Sequence, residues 1–124
     1  MSILILGSGA REKVIKEKLE NKIEGETKAK KVYIYDNTDF EEIKNFCLKH
    51  HIELVIPSTE VYLCNGIVDY LTNEIGIKVF GPTKNQAQIE GSKHFSKKSM
   101  TNLHIPTSKY QFFLEKKAAL DYIH

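Results

Sequence analysis

Ser2-Ile3-Leu4-Ile5-Leu6-Gly7-Ser8-Gly9-Ala10-Arg11-Glu12 is the stretch on which the fold turns. Its apolar run shows no polar alternation, the mark of a strand buried on both faces, and Gly7-Ser8-Gly9 turns that strand directly into a helix. The helix is expected from about Arg11 to Glu20, with Val14, Ile15 and Leu19 on one face. Outward from this unit the pattern recurs. A polar connection, Asn21 to Lys31, leads to a second strand, Val32 to Tyr35, and Thr38 with Glu41 forms an expected capping box for a helix whose apolar face is Phe40, Ile43, Phe46 and Cys47.

A third strand, Leu54 to Ile56, ends at Pro57, and one helix is expected to carry Cys64, Ile67, Val68, Leu71 and Ile75 before stopping at Gly76. A fourth strand, Ile77 to Phe80, runs into Gly81-Pro82-Thr83. Thr83 and Gln86 make a second capping box, and Ser92 caps a further helix reaching about Asn102. Ile105-Pro106 ends the helical run, because a residue before proline is pushed to extended geometry. Tyr110 to Leu114 then reads as a strand and Lys116 to Ile123 as a helix. Strands alternating with helices specify an α/β fold, an open parallel sheet with right-handed crossovers and helices on both faces.

Composition removes several function classes. The 18 basic and 16 acidic residues are spread along a chain of 124, leaving a net charge of +2 and no broad cationic field for nucleic acid or an anionic membrane. Met1 to Leu6 is too short, and lacks the flanks, for a signal peptide or a membrane span, so a cytoplasmic location is expected. Cys47 and Cys64 occupy apolar positions of different helices and read as reduced thiols. The histidines show no ligand spacing, so no metal site is expected, and no serine, cysteine or histidine constellation suggests a nucleophile.

Ligands of an open parallel sheet bind beyond the carboxyl ends of the strands, where this sequence places Gly7 to Glu12, Asp36-Asn37, Ser58-Thr59-Glu60 and Gly81-Pro82-Thr83. Glycines at 7 and 9 let the backbone turn tightly and present N–H groups to an anion at the positive end of the first helix, or they serve only the turn. Arg11, the only arginine among the basic residues, is placed to add a bidentate bond to a phosphate. A dinucleotide fingerprint requires a small residue where Glu12 stands, although Asp36 imitates its ribose-binding acid. Glu60 fits two roles, a first-turn carboxylate complementing the helix dipole or a ligand for a substrate hydroxyl or amine. Lys93, just after the Ser92 cap, opposes its helix dipole, which a solvated lysine tolerates and a phosphate contact would explain.

Taken together, Ile3 to Glu12, Glu60 with Leu63 and Gly66-Ile67-Val68-Asp69, Phe80-Gly81-Pro82-Thr83, Glu90-Gly91-Ser92-Lys93 and Ile105-Pro106-Thr107 resemble the phosphoribosylamine-glycine ligases. The resemblance covers nearly all of the chain. It implies an amino-terminal pre-ATP-grasp, Rossmann-like domain over residues 1–104 and the start of an ATP-grasp region over 105–124. It implies an ATP-dependent ligase of de novo purine biosynthesis, joining glycine to 5-phosphoribosylamine through a glycyl phosphate, with ATP and Mg2+ as cofactors. In that scheme Gly7, Ser8, Gly9, Arg11, Glu12 and Glu60 bind substrate, and Lys93 faces the ATP phosphates. The glycine-rich ATP lid and acidic metal ligands of such enzymes are not in this sequence. The chain is therefore expected to be inactive by itself, completed by an ATP-grasp region in cis or on a separate chain. It departs from the family pattern at Ala10, Lys13 and Ser58-Thr59, and its connection after the second strand is shorter. The alternatives are the front domain of another ATP-grasp ligase and a stand-alone, non-catalytic nucleotide-binding module.

Overall fold

The computed structural model describes residues 1–21 and 31–123, which fall into two compact units, Met1–Gly91 and Ser92–His124. Most of the expected 21–31 connection lies outside the described residues. In the first unit β1 (Ser2–Leu6), β2 (Lys31–Tyr35), β3 (Leu54–Pro57) and β4 (Lys78–Val79) form a parallel sheet in the order β2-β1-β3-β4. β1 is central, with Ile3 opposite Val32 on one side and Leu54 on the other. Its apolar run follows from that position. Leu4 and Leu6 pack with Ile43, Val55, Ile67 and Leu71, while Ile3 and Ile5 join Val32 in a second cluster, as the two-residue period of a strand requires.

Helix α1 (Ala10–Glu20) contributes Ile15 and Leu19 to the second cluster, and α2 (Phe40–Lys49), α3 (Glu60–Asn65) and α4 (Ile67–Ile75) supply the larger one. Val14, expected on the buried face of α1, is 65% exposed. Each helical residue turns about 100°, so position 14 lies well away from the stripe shared by 15 and 19. The cap of α2 is Asp39 rather than Thr38: its Oδ1 accepts from the N–H groups of Glu41 at 2.8 Å and Glu42 at 3.3 Å. The capping box for α5 (Lys84–Gly91) forms reciprocally, Thr83 N–H donating to Gln86 Oε1 at 3.0 Å and Gln86 N–H to Thr83 Oγ1 at 3.4 Å.

The single helix expected to run through Cys64 to Ile75 is two, broken at Gly66. The fourth strand is shorter than expected, since β4 pairs only at Lys78 and Val79 before Phe80 donates one bond to Val55 and the chain departs at Gly81. In the second unit Ser92 Oγ caps α6 (Lys93–Asn102), accepting from Phe95 N–H at 3.2 Å. Tyr110 to Leu114 forms no strand: among the described residues no partner strand stands beside it, so no ladder of backbone hydrogen bonds forms and water solvates this largely exposed segment. Helix α7 (Lys116–Ile123) follows as expected, and no described residue of this unit is buried. Both cysteines are free, Cys47 buried and Cys64 half-buried. No described helix is long and apolar enough to cross a membrane.

Candidate functional site

From β1 the chain crosses first to β2 on one side and then to β3 on the other, so crossovers diverge around the carboxyl end of β1 and leave a crevice there. A cavity of about 390 Å³ occupies it, lined by the Gly7–Glu12 loop, Asp36, Thr59 and Tyr62. The loop glycines are required by what lies beneath them. A Cβ on Gly7, at φ 128°, would stand 2.7 Å from Ser58 Oγ, and one on Gly9 would stand 2.8 Å from Glu12 Oε2. Glu12 is therefore turned inward, only 3% exposed, with its carboxylate accepting from the Ser58 hydroxyl.

That hydroxyl, then Glu12's own backbone N–H, hold the Glu12 carboxyl below the ordinary glutamate range against the opposing effect of burial, with the Gly9 N–H adding to them. Gly9 is the N-cap of α1 and Glu12 its third residue, so the carboxylate completes one half of a capping box from inside the domain. Ser58 serves Arg11 as well, since the guanidinium Nη1 donates to the Ser58 carbonyl at 2.6 Å. An arginine carries five donors, and those not used here remain for a ligand. The Gly7 N–H is committed to the sheet, donating to Tyr35 O at 3.0 Å.

Across the cavity Asp36 accepts from Ser8 Oγ at 2.6 Å and from the Tyr62 hydroxyl at 3.2 Å. Burial first, then the Asp36 carboxylate, raises the Tyr62 hydroxyl above the usual tyrosine range and keeps it a donor. The structure thus brings Gly7, Ser8, Gly9, Arg11 and Glu12 together. Glu60 occupies the exposed first turn of α3, outside the cavity lining, and Lys93 opens α6 in the second unit. Sequence reasoning missed Tyr62 and the role of Ser58. Tyr62 lies about 200° around the expected helix from Cys64, off its apolar face, so no spacing marked it for burial.

The model of the phosphoribosylglycinamide synthetase N domain matches residues 1–90, which include the whole cavity lining. The chain belongs to this family. A phosphoribosylamine–glycine ligase of Pasteurella multocida is 39% identical over 99% of the chain, which spans 32% of that relative. The bifunctional purine biosynthetic protein purD of Dictyostelium discoideum is 38% identical over 98% of the chain, which spans 16% of it. The chain thus corresponds to a third or less of each. In fold it is similar to the biotin carboxylase domain of a thermophilic 2-oxoglutarate carboxylase, at a TM-score of 0.56 and 22% identity over 86% of the chain and 28% of that protein. Membership of the synthetase N-domain family agrees with the motifs from Ile3 to Thr83, all within the matched residues.

Proposed function

We propose that this chain is the substrate-binding front of an ATP-dependent ligase joining glycine to 5-phosphoribosylamine, and that its cavity holds the sugar-phosphate substrate. The observation that carries the proposal is the cavity itself, built on the Gly7–Glu12 loop in a chain of the synthetase N-domain family. The loop N–H groups that Glu12 and Tyr35 leave uncommitted and the Arg11 guanidinium suit a phosphate, and Glu12 holds the loop from beneath. Residues 1–104 form the substrate-binding part, and 105–124 begin the ATP-grasp region, in a cytoplasmic enzyme acting on small molecules. Glu60 contacts substrate and Lys93 faces ATP phosphates once the ATP-grasp region is joined. Mg2+ is assigned with ATP to the ATP-grasp region.

Replacing Arg11 with alanine is expected to weaken binding of ribose 5-phosphate by about 1.5–3 kcal/mol, the scale of a hydrogen bond to a charged group. Isothermal calorimetry on both proteins measures it, and equal affinities would remove Arg11 from the site.

A further inference from the structure

The cavity contains a carboxylate that a phosphate site does not call for. Asp36, at the carboxyl end of β2, is exposed, lines the cavity, and forms no ion pair among the described residues. An anion on the wall of a phosphate site opposes the phosphate. It is nevertheless held firmly. Ser8 Oγ donates to Oδ2 at 2.6 Å and the Tyr62 hydroxyl to Oδ1 at 3.2 Å, so the glycine loop and α3 fix it from two sides. Tyr62 is 5% exposed and anchored in the core. The neighbouring Asn37 is pinned too, its Nδ2 donating to the Tyr35 hydroxyl at 3.0 Å and its Oδ1 accepting from Asp39 N–H at 2.8 Å. The short β2–α2 connection is thereby a rigid mount for the carboxylate.

A carboxylate offers about four acceptor sites, two on each oxygen. The Ser8 and Tyr62 hydroxyls use one on each oxygen, which leaves a pair of adjacent acceptors and no free donor. Two vicinal hydroxyls are the complementary group. We propose that Asp36 is the specificity-determining residue of this site, accepting hydrogen bonds from the vicinal hydroxyls of a phosphorylated pentose whose phosphate lies against Ser8, Gly9 and Arg11. The inference rests on the sugar-phosphate function proposed above and adds the part of the sugar that is read.

Calorimetric titration of the 124-residue chain and its Asp36→Asn variant with inorganic phosphate, ribose 5-phosphate and 2-deoxyribose 5-phosphate tests it. The unsubstituted chain is expected to prefer the ribose ester to the deoxy ester about tenfold. Asp36→Asn is expected to lose that preference and bind ribose 5-phosphate about tenfold more weakly, while binding inorganic phosphate more tightly because a like charge is gone. Misfolding cannot produce these opposite changes. Tyr62→Phe, which releases one carboxylate oxygen, is expected to reduce the preference about threefold. Equal binding of the two sugar esters by the unsubstituted chain, or a preference surviving in both variants, overturns the role of Asp36 and leaves the sugar-phosphate site standing. Failure of the unsubstituted chain to bind either ester overturns both.

Discussion

Glu12 carries a carboxylate into the interior of the domain, and the surrounding groups fix its charge state. A carboxyl whose folded pKa is depressed contributes stability above its unfolded value, near 4.5, and loses it as pH falls through the folded value. Glu41 is also held low, first by Lys44, so acid sensitivity of the whole protein does not isolate Glu12. Comparison with Glu12→Gln does. The unsubstituted chain is expected to be the more stable at pH 7 by urea denaturation, with the gap closing below about pH 4.5. A gap independent of pH would mean that packing alone, and no ionised carboxylate, supports the loop. Glu12 read from sequence as a loop residue open to ligand, because its partner Ser58 lies 46 positions away and only the β1–β3 pairing brings the two together.

At the scale of elements, apolar spacing located the four strands of the sheet but also suggested a strand at Tyr110 to Leu114 that does not form, and local backbone geometry decided where helices stop. The spacing of Cys64, Ile67, Val68, Leu71 and Ile75 passes unbroken through Gly66, yet φ 94° there ends α3 and restarts the chain as α4. The Gly66 N–H donates to the carbonyls of Tyr62 and Leu63, and the Gly66 carbonyl accepts from Tyr70 at 3.0 Å, so one residue closes one helix and opens the next. Gly66→Ala is expected to destabilise the chain by about 1–2 kcal/mol, the cost of a left-handed conformation for a residue with a Cβ. A Cβ there would also meet Lys84 Cδ at 3.2 Å, a flexible contact that can yield. An unchanged urea midpoint would show that the two helices can merge. α2 and α4 are tied across their surface by Lys44, which meets Glu41 at 2.8 Å and Glu74 at 3.5 Å and is pushed up to about 12, chiefly by its bond to Glu41.

At the scale of the whole molecule, the two units differ in how they are stabilised. Met1–Gly91 has apolar clusters on both faces of its sheet. Ser92–His124 has no buried residue among those described and is organised locally, by Lys97 Nζ donating to Thr107 Oγ1 at 2.6 Å and Ser108 Oγ at 2.7 Å and by the His94 ring stacked on Phe112 at 3.9 Å. Lys93 is exposed in the first turn of α6, where a dipole effect of about 0.3–1 kcal/mol disfavours it. Lys93→Ala is therefore expected to leave the melting temperature of this chain almost unchanged while lowering ATP turnover in a full-length ligase carrying the same substitution. Unchanged ATP kinetics there would return Lys93 to the class of solvated lysines. The 124-residue chain itself, supplied with ATP, magnesium, glycine and phosphoribosylamine, is expected to release no ADP above background, and turnover that survives purification would refute this.

The parallel α/β fold was legible from residue order, because an apolar run without alternation suits a covered central strand, and β1 is paired on both sides. The caps before α5 and α6 were legible too, since they depend on residues three apart. Which side chains meet in the cavity was not. Ser58 reaching Glu12 and Arg11, and Tyr62 and Ser8 reaching Asp36, span 26 to 47 positions of chain. No local spacing encodes such pairs, since they exist only once the order β2-β1-β3 sets three strand ends side by side.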